Sequence, residues 1–238
     1  MHRRSISPIR GFSLVELLVV MAVLAILAAL VLPGLDRALG SARKTACRSN
    51  LRQLALSWQV YWNDHADRIP DRRDLKRSLP GNYQPWNSWP KSDPRAGWAA
   101  VVLHDYLPGR ELWRCPGVIA GPLAKLEQAR QWGGLDTNSA PRVNYWMWRF
   151  DRTDDPVPVD NFWGKTLNQA VREWRESGAP AALAVQGPAE VEWMVDPYFP
   201  RTVPGLPADV TGVSTHWGGR NRLMLDGHVE SVRDPRVR

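Results

Sequence analysis

Cysteine is scarce in this chain: Cys47 and Cys115 are the two among 238 residues. There is no Cys-x-x-Cys pair and no close Cys/His grouping, so the spacing excludes thioredoxin-like redox chemistry and a zinc module read from adjacent ligands. Two cysteines still allow one disulfide in an oxidising compartment, or two buried thiols, and both readings stand at this point. Gly-x-Ser-x-Gly, His-Glu-x-x-His and a phosphate-cradling glycine loop are all absent, and the acids and histidines are scattered. The expectation is therefore that the protein is not an enzyme and needs no cofactor. Long blocks of one charge are missing too. The net charge of +7 is spread among interspersed acids, so nucleic acid is not an expected partner. No internal repeat or low-complexity tract is evident. Phenylalanine and tyrosine are few, 4 and 5, against 13 tryptophans. Indoles in that number either fill the core of a loop-rich domain or line a surface that stacks on sugars; the patterned Trp58, Trp62 and Trp113 favour the core.

What is present in abundance is one apolar run. From Phe12 to Leu32 the sequence FSLVELLVVMAVLAILAALVL holds a single ionisable residue, Glu16. As a helix these residues would be about 31 Å long, enough to cross the hydrocarbon of a bilayer. A carboxylate at that depth costs roughly a few kcal/mol and calls for a positive partner. An amine created by a cut between Gly11 and Phe12 would supply it. The leader carries Arg3, Arg4 and Arg10, which predicts a cytoplasmic amino terminus. If those three leave, the 31 basic residues fall to 28 against 24 acidic ones, a balance of +4. Two other readings compete: a secretory signal peptide cut near Ala25 to Ala29, whose apolar core would be shorter and without an early acid, and a plain anchor in which Glu16 has no purpose.

Gly11-Phe12-Ser13-Leu14-Val15-Glu16 after a short basic leader resembles the class III signal of type IV prepilins and type II secretion pseudopilins. The resemblance implies a prepilin peptidase that cuts after Gly11 and methylates the new terminus at Phe12. Glu16 becomes the fifth mature residue. Pro33 falls where this family often carries a helix-kinking proline. The implied partners are the peptidase, other pilin or pseudopilin subunits in a homo- or hetero-polymer, and the membrane. The implied location is the cytoplasmic membrane, crossed once, with the head outside and assembled into a filament.

Beyond Pro33 the helix is expected to continue, since a proline kinks rather than always ends a membrane helix. Cys47, Leu51, Leu54, Trp58 and Tyr61 recur at steps of four and three, one apolar stripe along its second half. Arg43, Lys44, Arg48 and Arg52 occupy other positions. Cys47 lies on that stripe, which raises its chance of meeting Cys115. The segment from Cys47 to Pro70 resembles pilin-like proteins abundant in planctomycetes and verrucomicrobia, and Leu112 to Pro116 resembles that group's Cys-Pro segment. Asn63, Asp64, Asp67 and Asp71 lack the spacing of a calcium loop and read as a helix terminus and turn. Further along, the patterns predict a loop over 71–94, a short helix or strand over 97–107, a short helix over 123–132, a strand over 143–150, a loop over 151–158, a helix over 167–176, a buried strand over 181–185 and a loop over 197–207.

Near the carboxy terminus two β-type runs, 221–225 and 228–232, flank Asp226-Gly227, the sequence of a hairpin with a type I′ turn. His216 stands ten positions before Asp226. This His-x9-Asp-Gly pattern resembles the same pilin-like group. His216, Asp226 and His228 are legitimate metal ligands, but the turn already accounts for Asp226 and Gly227, and no metal is expected there. The fold class is α+β: a cleaved leader over 1–11, a transmembrane helix over 12–32, its amphipathic continuation over 33–62, and a head over 63–238 built on a small antiparallel sheet with long loops. The function expected is that of a pilin-like or pseudopilin structural subunit. The alternative is an anchored Trp-rich module that binds polysaccharide or protein and never polymerises.

Overall fold

The apolar run is helical from its first turn and does not stop at Pro33. In the computed structural model, which describes residues 13–84, 89–107, 109–152, 160–177 and 185–237, helix α1 runs Leu14–Asp64 with Pro33 inside it. Its 51 residues correspond to about 76 Å of helix. The chain falls into two compact units, 1–41 and 42–238. In the first, the large apolar side chains from Leu14 to Leu39 are all exposed. That is a helix apolar on every side, as a surrounding lipid or a bundle of like helices requires. In the second, burial is one-sided: Cys47, Leu51, Leu54, Trp58 and Tyr61 are buried, as the stripe predicted, together with Ala55, Ser57 and Trp62. The helix ends where the acids cluster. Ala66 and Asp67 adopt positive φ, a conformation that Asp tolerates better than Ala, and the Asp67 N–H closes onto the Trp62 carbonyl at 2.8 Å.

Against this stripe the head builds little regular sheet. The main one has three antiparallel strands in the order β5-β8-β9, namely Glu192–Val195, Gly219–Met224 and Val229–Arg233. Among the described residues, three separate two-stranded ribbons accompany it: β1 Gln131–Trp132 with β2 Arg142–Val143, β3 Phe150–Arg152 with β4 Asp160–Asn161, and β6 Tyr198–Phe199 with β7 Val213–Ser214. Short helices α2 Arg73–Ser78, α3 Gly97–Val102, α4 Pro116–Ile119 and the longer α5 Leu167–Glu176 complete it. The architecture is α+β and pilin-like: a long amino-terminal helix carrying a head with small antiparallel sheets.

Tryptophan does the packing that strands do elsewhere. Trp58 on α1 meets Trp193 on β5 edge to face, ring centroids 5.2 Å apart. Trp98 on α3 packs on Phe150 at 4.6 Å and on Trp163 at 4.7 Å. Each ring buries a large area, and edge-to-face contacts add about 0.5–1.5 kcal/mol per pair. The indole N–H groups of Trp58, Trp98 and Trp193 find no acceptor among the described residues, a cost accepted for bulk. One buried cation is fully engaged: Lys76 Nζ donates to the Asp93 and Phe150 carbonyls at 3.0 Å and faces the Asp151 carboxylate at 3.5 Å. Burial pulls its pKa below the ordinary lysine value.

Several expectations change. The loop expected over 71–94 contains α2, because Leu75 and Lys76 turn inward. The helix expected over 123–132 becomes two 3-10 turns, Pro122–Lys125 and Glu127–Ala129, before β1. The strand expected over 143–150 is broken. Residues 143–148 are all buried, leaving no solvent face, and Trp146 instead exchanges a single pair of 2.9 Å backbone bonds with Val195. The helix expected over 167–176 is α5 with those bounds, its first turn capped by Thr166 Oγ1, which accepts from the Gln169 N–H at 3.2 Å. Pro197 to Pro207 is not wholly a loop, since it contains β6. Of the strand expected over 181–185, residues 181–184 lie outside the described residues.

The carboxy-terminal hairpin forms, but not around a type I′ turn. Met224 N–H bonds to the His228 carbonyl and Gly227 N–H to the Met224 carbonyl, both at 2.9 Å, so the loop is the three residues 225–227. Gly227 alone among them has positive φ, +92°. A type I′ turn needs positive φ at both central residues; a three-residue loop needs it at the last one. Leu225 is drawn into the core, its N–H donating to the Val191 carbonyl, which lengthens the loop. A Cβ on Gly227 would stand 2.2 Å from Gln59 Nε2 on α1. Gly227→Ala is therefore expected to lower the unfolding free energy of the detergent-solubilised full chain by about 1–3 kcal/mol, through backbone strain at positive φ together with the contact on Gln59. A Gln59→Ala background should recover part of that loss; tryptophan-monitored denaturant unfolding of the single and double variants measures both.

Candidate functional site

Among the described residues, two places that collect chemistry-bearing groups are the first turn of α1 and the buried joint between α1 and the rest of the head. At the first, Ser13 and Glu16 form a reciprocal cap. The Ser13 N–H donates to Glu16 Oε2 at 2.8 Å, and the Glu16 N–H donates to Ser13 Oγ at 3.2 Å. This Ser-x-x-Glu capping box satisfies amides that a helix start leaves unpaired, which matters most where no water can do so. Its role was missed in the sequence, although the four-residue spacing before an apolar run is the pattern that announces it. Glu16 thus points its carboxylate at the amino-terminal end of the helix, where the macrodipole favours a negative charge. Gly11 and Phe12 lie outside the described residues. Pro33 sits within α1 and does not end it.

At the second place, Cys47 on α1 and Cys115, which immediately precedes α4, form a disulfide, S–S 2.09 Å and Cα–Cα 5.0 Å. His216 stands beside it. Its Nε2 is 3.7 Å from Cys115 Sγ and 3.1 Å from Asp196 Oδ2. All four residues are buried. Asn221 on β8 ties the arrangement together: its N–H donates to Asp196 Oδ2 at 2.9 Å and its side-chain amide donates to the Lys44 carbonyl of α1 at 3.1 Å. Gly117 permits the close approach of α4, since a Cβ there would lie 2.4 Å from His216 Cε1. Tyr145 is fully enclosed nearby; burial, reinforced by the Asp196 charge, pushes its phenol well above the ordinary value.

His216 is therefore not part of the hairpin-tip group. Asp226 and His228 form their own partly exposed pair, His228 Nδ1 to Asp226 Oδ1 at 2.6 Å, and the His228 N–H also donates to that oxygen. The trio His216, Asp226 and His228 does not assemble into a ligand group among the described residues; His216 joins Cys47, Cys115 and Asp196 instead. Ligand spacing along the chain excludes structural zinc only for ligands close in sequence, and these four are spread from position 47 to position 216. Further along the sheet, Arg220 on β8 bridges Asp234 at 2.7 Å and Glu192 at 3.1 Å and stacks on Tyr198. Burial opposes its charge, but Glu192, Tyr198 and Asp234 outweigh that and raise its pKa above the usual arginine value. This pins β5, β8 and the chain end in one register.

A helix apolar on all sides, capped by its own acid and continuing into an α+β head, defines an amino-terminally anchored protein of pilin-like design. Comparison with known proteins narrows this. Residues 6–32 match the family model described as the prokaryotic N-terminal methylation motif. The chain is also similar to the ComG operon protein 3 homolog of Bacillus licheniformis, 31% identical over 67 residues, which are 28% of this chain and 69% of that protein. No solved structure matches. The chain belongs to the type IV pilin and pseudopilin family, and the motif together with the long apolar helix marks α1 as its membrane anchor.

The disulfide closes 68 residues of chain, and the unfolded-state entropy it removes amounts to about 4 kcal/mol. Replacing both Cys47 and Cys115 by serine is expected to cost most of that in metal-free buffer, measured by denaturant unfolding of the full chain in detergent; an unchanged midpoint would mean that the joint holds without the bond.

Proposed function

We propose that the chain is a structural subunit whose activity is assembly, not catalysis. A prepilin peptidase cuts between Gly11 and Phe12 and methylates Phe12, and the mature chain enters a pilus-like or pseudopilus filament. The observation that carries the reading is the methylation motif at 6–32, whose apolar run holds a single acid, Glu16, facing the amino-terminal end of the helix. With the leader gone, Ser13 is the second residue, and the new amine lies one peptide before the N–H that Glu16 already accepts. The same carboxylate can take that amine, on its own chain or on a neighbour, which offsets the cost of an acid in lipid and sets axial register. The leader's arginines support an amino terminus in the cytoplasm with the head outside.

What supports a head made for tiling rather than sugar binding is where the indoles went. Trp58, Trp98, Trp113, Trp146 and Trp193 are enclosed, and the strongly exposed one, Trp217 at 83%, stands without a second exposed indole among the described residues. One stacked ring is a weak carbohydrate platform.

Gly11→Ala is expected to leave the precursor uncut, so that intact mass and amino-terminal sequencing read Met1 instead of methylated Phe12. Glu16→Ala should be cut normally yet be depleted at least tenfold from sheared filaments relative to the membrane fraction. Normal incorporation of that variant would sink the pairing role of Glu16, and a native start at Met1 or near Ala29 would sink the processing step itself.

A further inference from the structure

Asp196 is an acid buried beyond what its neighbours explain. Its Oδ2 is shared by the Asn221 N–H and His216, but Oδ1 is enclosed and has no hydrogen-bond partner among the described residues. An ionised carboxylate leaves water only where charge or donors meet it on all sides. The groups around it are of one kind. Cys47 Sγ, Cys115 Sγ, a carboxylate oxygen of Asp196 and a ring nitrogen of His216 all lie within 4.8 Å of one another.

We propose that, when the cysteines are reduced, these four side chains form a closed tetrahedral zinc site, so that disulfide and metal are alternative closures of the same joint. A zinc ion with sulfur at about 2.3 Å and nitrogen and oxygen at about 2.0–2.2 Å sets ligand-to-ligand edges of about 3.3–3.8 Å. The His216 Nε2 to Cys115 Sγ separation of 3.7 Å and the His216 Nε2 to Asp196 Oδ2 separation of 3.1 Å already approximate two of those edges. Parting the two sulfurs supplies a third edge, and the remaining ligand pairs already lie within 4.8 Å of one another. Two thiolates and an imidazole select a transition metal of the zinc class over calcium or magnesium, which take six or more oxygens. Four protein ligands leave no open position, so the ion is structural.

The exchange balances. A dithiol reductant breaks the Cys47–Cys115 bond, giving two thiols and its own disulfide. Zn²⁺ then displaces two protons and binds two thiolates. A disulfide and a pair of thiolates around a dication carry the same net charge, whatever the charge on the other two ligands. The interior is therefore asked to hold no additional net charge. Two neighbours suit the metal form as they stand. The Gly117 N–H approaches Cys47 Sγ at 3.5 Å as a donor that supports a thiolate ligand. The absence of a side chain at Gly117 keeps the His216 ring where it is. In the family resemblance His216 belongs to a carboxy-terminal signature with Asp226 and Gly227; here its contacts are with the disulfide and Asp196.

The test uses the full chain in detergent, reduced with excess dithiothreitol, desalted under argon and titrated with Co²⁺ alone. The expected result is one Co²⁺ per chain, with a thiolate-to-cobalt charge-transfer band and the intense visible bands of tetrahedral coordination, both abolished by Zn²⁺. The oxidised chain should show neither. Asp196→Asn and His216→Ala, each shown to fold in the oxidised form by near-ultraviolet circular dichroism, should weaken Co²⁺ binding at least tenfold. In the wild-type chain, Zn²⁺ should raise the thermal midpoint of the reduced form and leave that of the oxidised form unmoved. Absence of the bands in the reduced wild type, or full-strength bands in both variants, overturns the site, as does a reduced-form midpoint indifferent to Zn²⁺.

Discussion

Everything in this molecule depends on one helix having to satisfy two environments without a break. An α-helix makes its backbone hydrogen bonds within itself, so it can leave an apolar medium and enter a packed head with no change of partner. Only the side chains need to change, and they do: apolar on every side through the first unit, one-sided from Ala42 onward. The single stripe from Cys47 to Tyr61 is then the surface on which the head is built. The disulfide, the tryptophan cluster, the hairpin tip at Gly227 and the Asn221 bond to Lys44 all attach to this part of α1.

The head compensates for its scarcity of sheet. Strands of two to six residues cannot by themselves hold a domain of this size. Large rings crossing edge to face supply apolar area where long ladders would otherwise supply order. Buried charges then fix position: Lys76 on two carbonyls, Asp93 with Arg95, and Arg220 between Glu192 and Asp234. Such pairs add little net stability, since desolvation offsets attraction, but a misplaced segment would leave one of them unpaired and costly. They act as registry marks in a fold that has few others.

At its start α1 shows one carboxylate with a task that depends on chain state, and in its head-packed half, at Cys47, one joint with a bond that depends on redox state. Glu16 closes the capping box of the helix start; in the proposed filament it also answers the amine that processing creates. The two tasks are compatible because both partners lie at the same helix end. Cys47 and Cys115 likewise sit in a setting, with His216 and Asp196, that a simple covalent staple does not require. Both cases place an acid in a low-dielectric environment, and in both the position of the positive partner decides what the acid does.

The anchor was legible in the sequence because it is local: a membrane-length apolar run, a single acid and a glycine before an aromatic residue are all read along the chain. So was the amphipathic half of α1, since its 3.6 period is read along the chain, and so was α5, which the structure forms with the expected bounds. The head's interior was not legible. Residues 143–148 are buried on both sides, so their pattern carries no period from which a strand could be separated from an irregular buried segment. Asp226-Gly227 announced a hairpin, but the turn type followed from Leu225 being pulled into the core. His216 looked like a companion of Asp226 and His228 because it stands only ten positions before the turn; folding paired it with Asp196 and the two cysteines. The sequence by itself determined the anchor and the stripe, because those obey solvents that act on each residue in turn. Only the tertiary structure decided which buried polar groups meet, because desolvated groups answer to whatever partner the whole chain brings within a few ångströms.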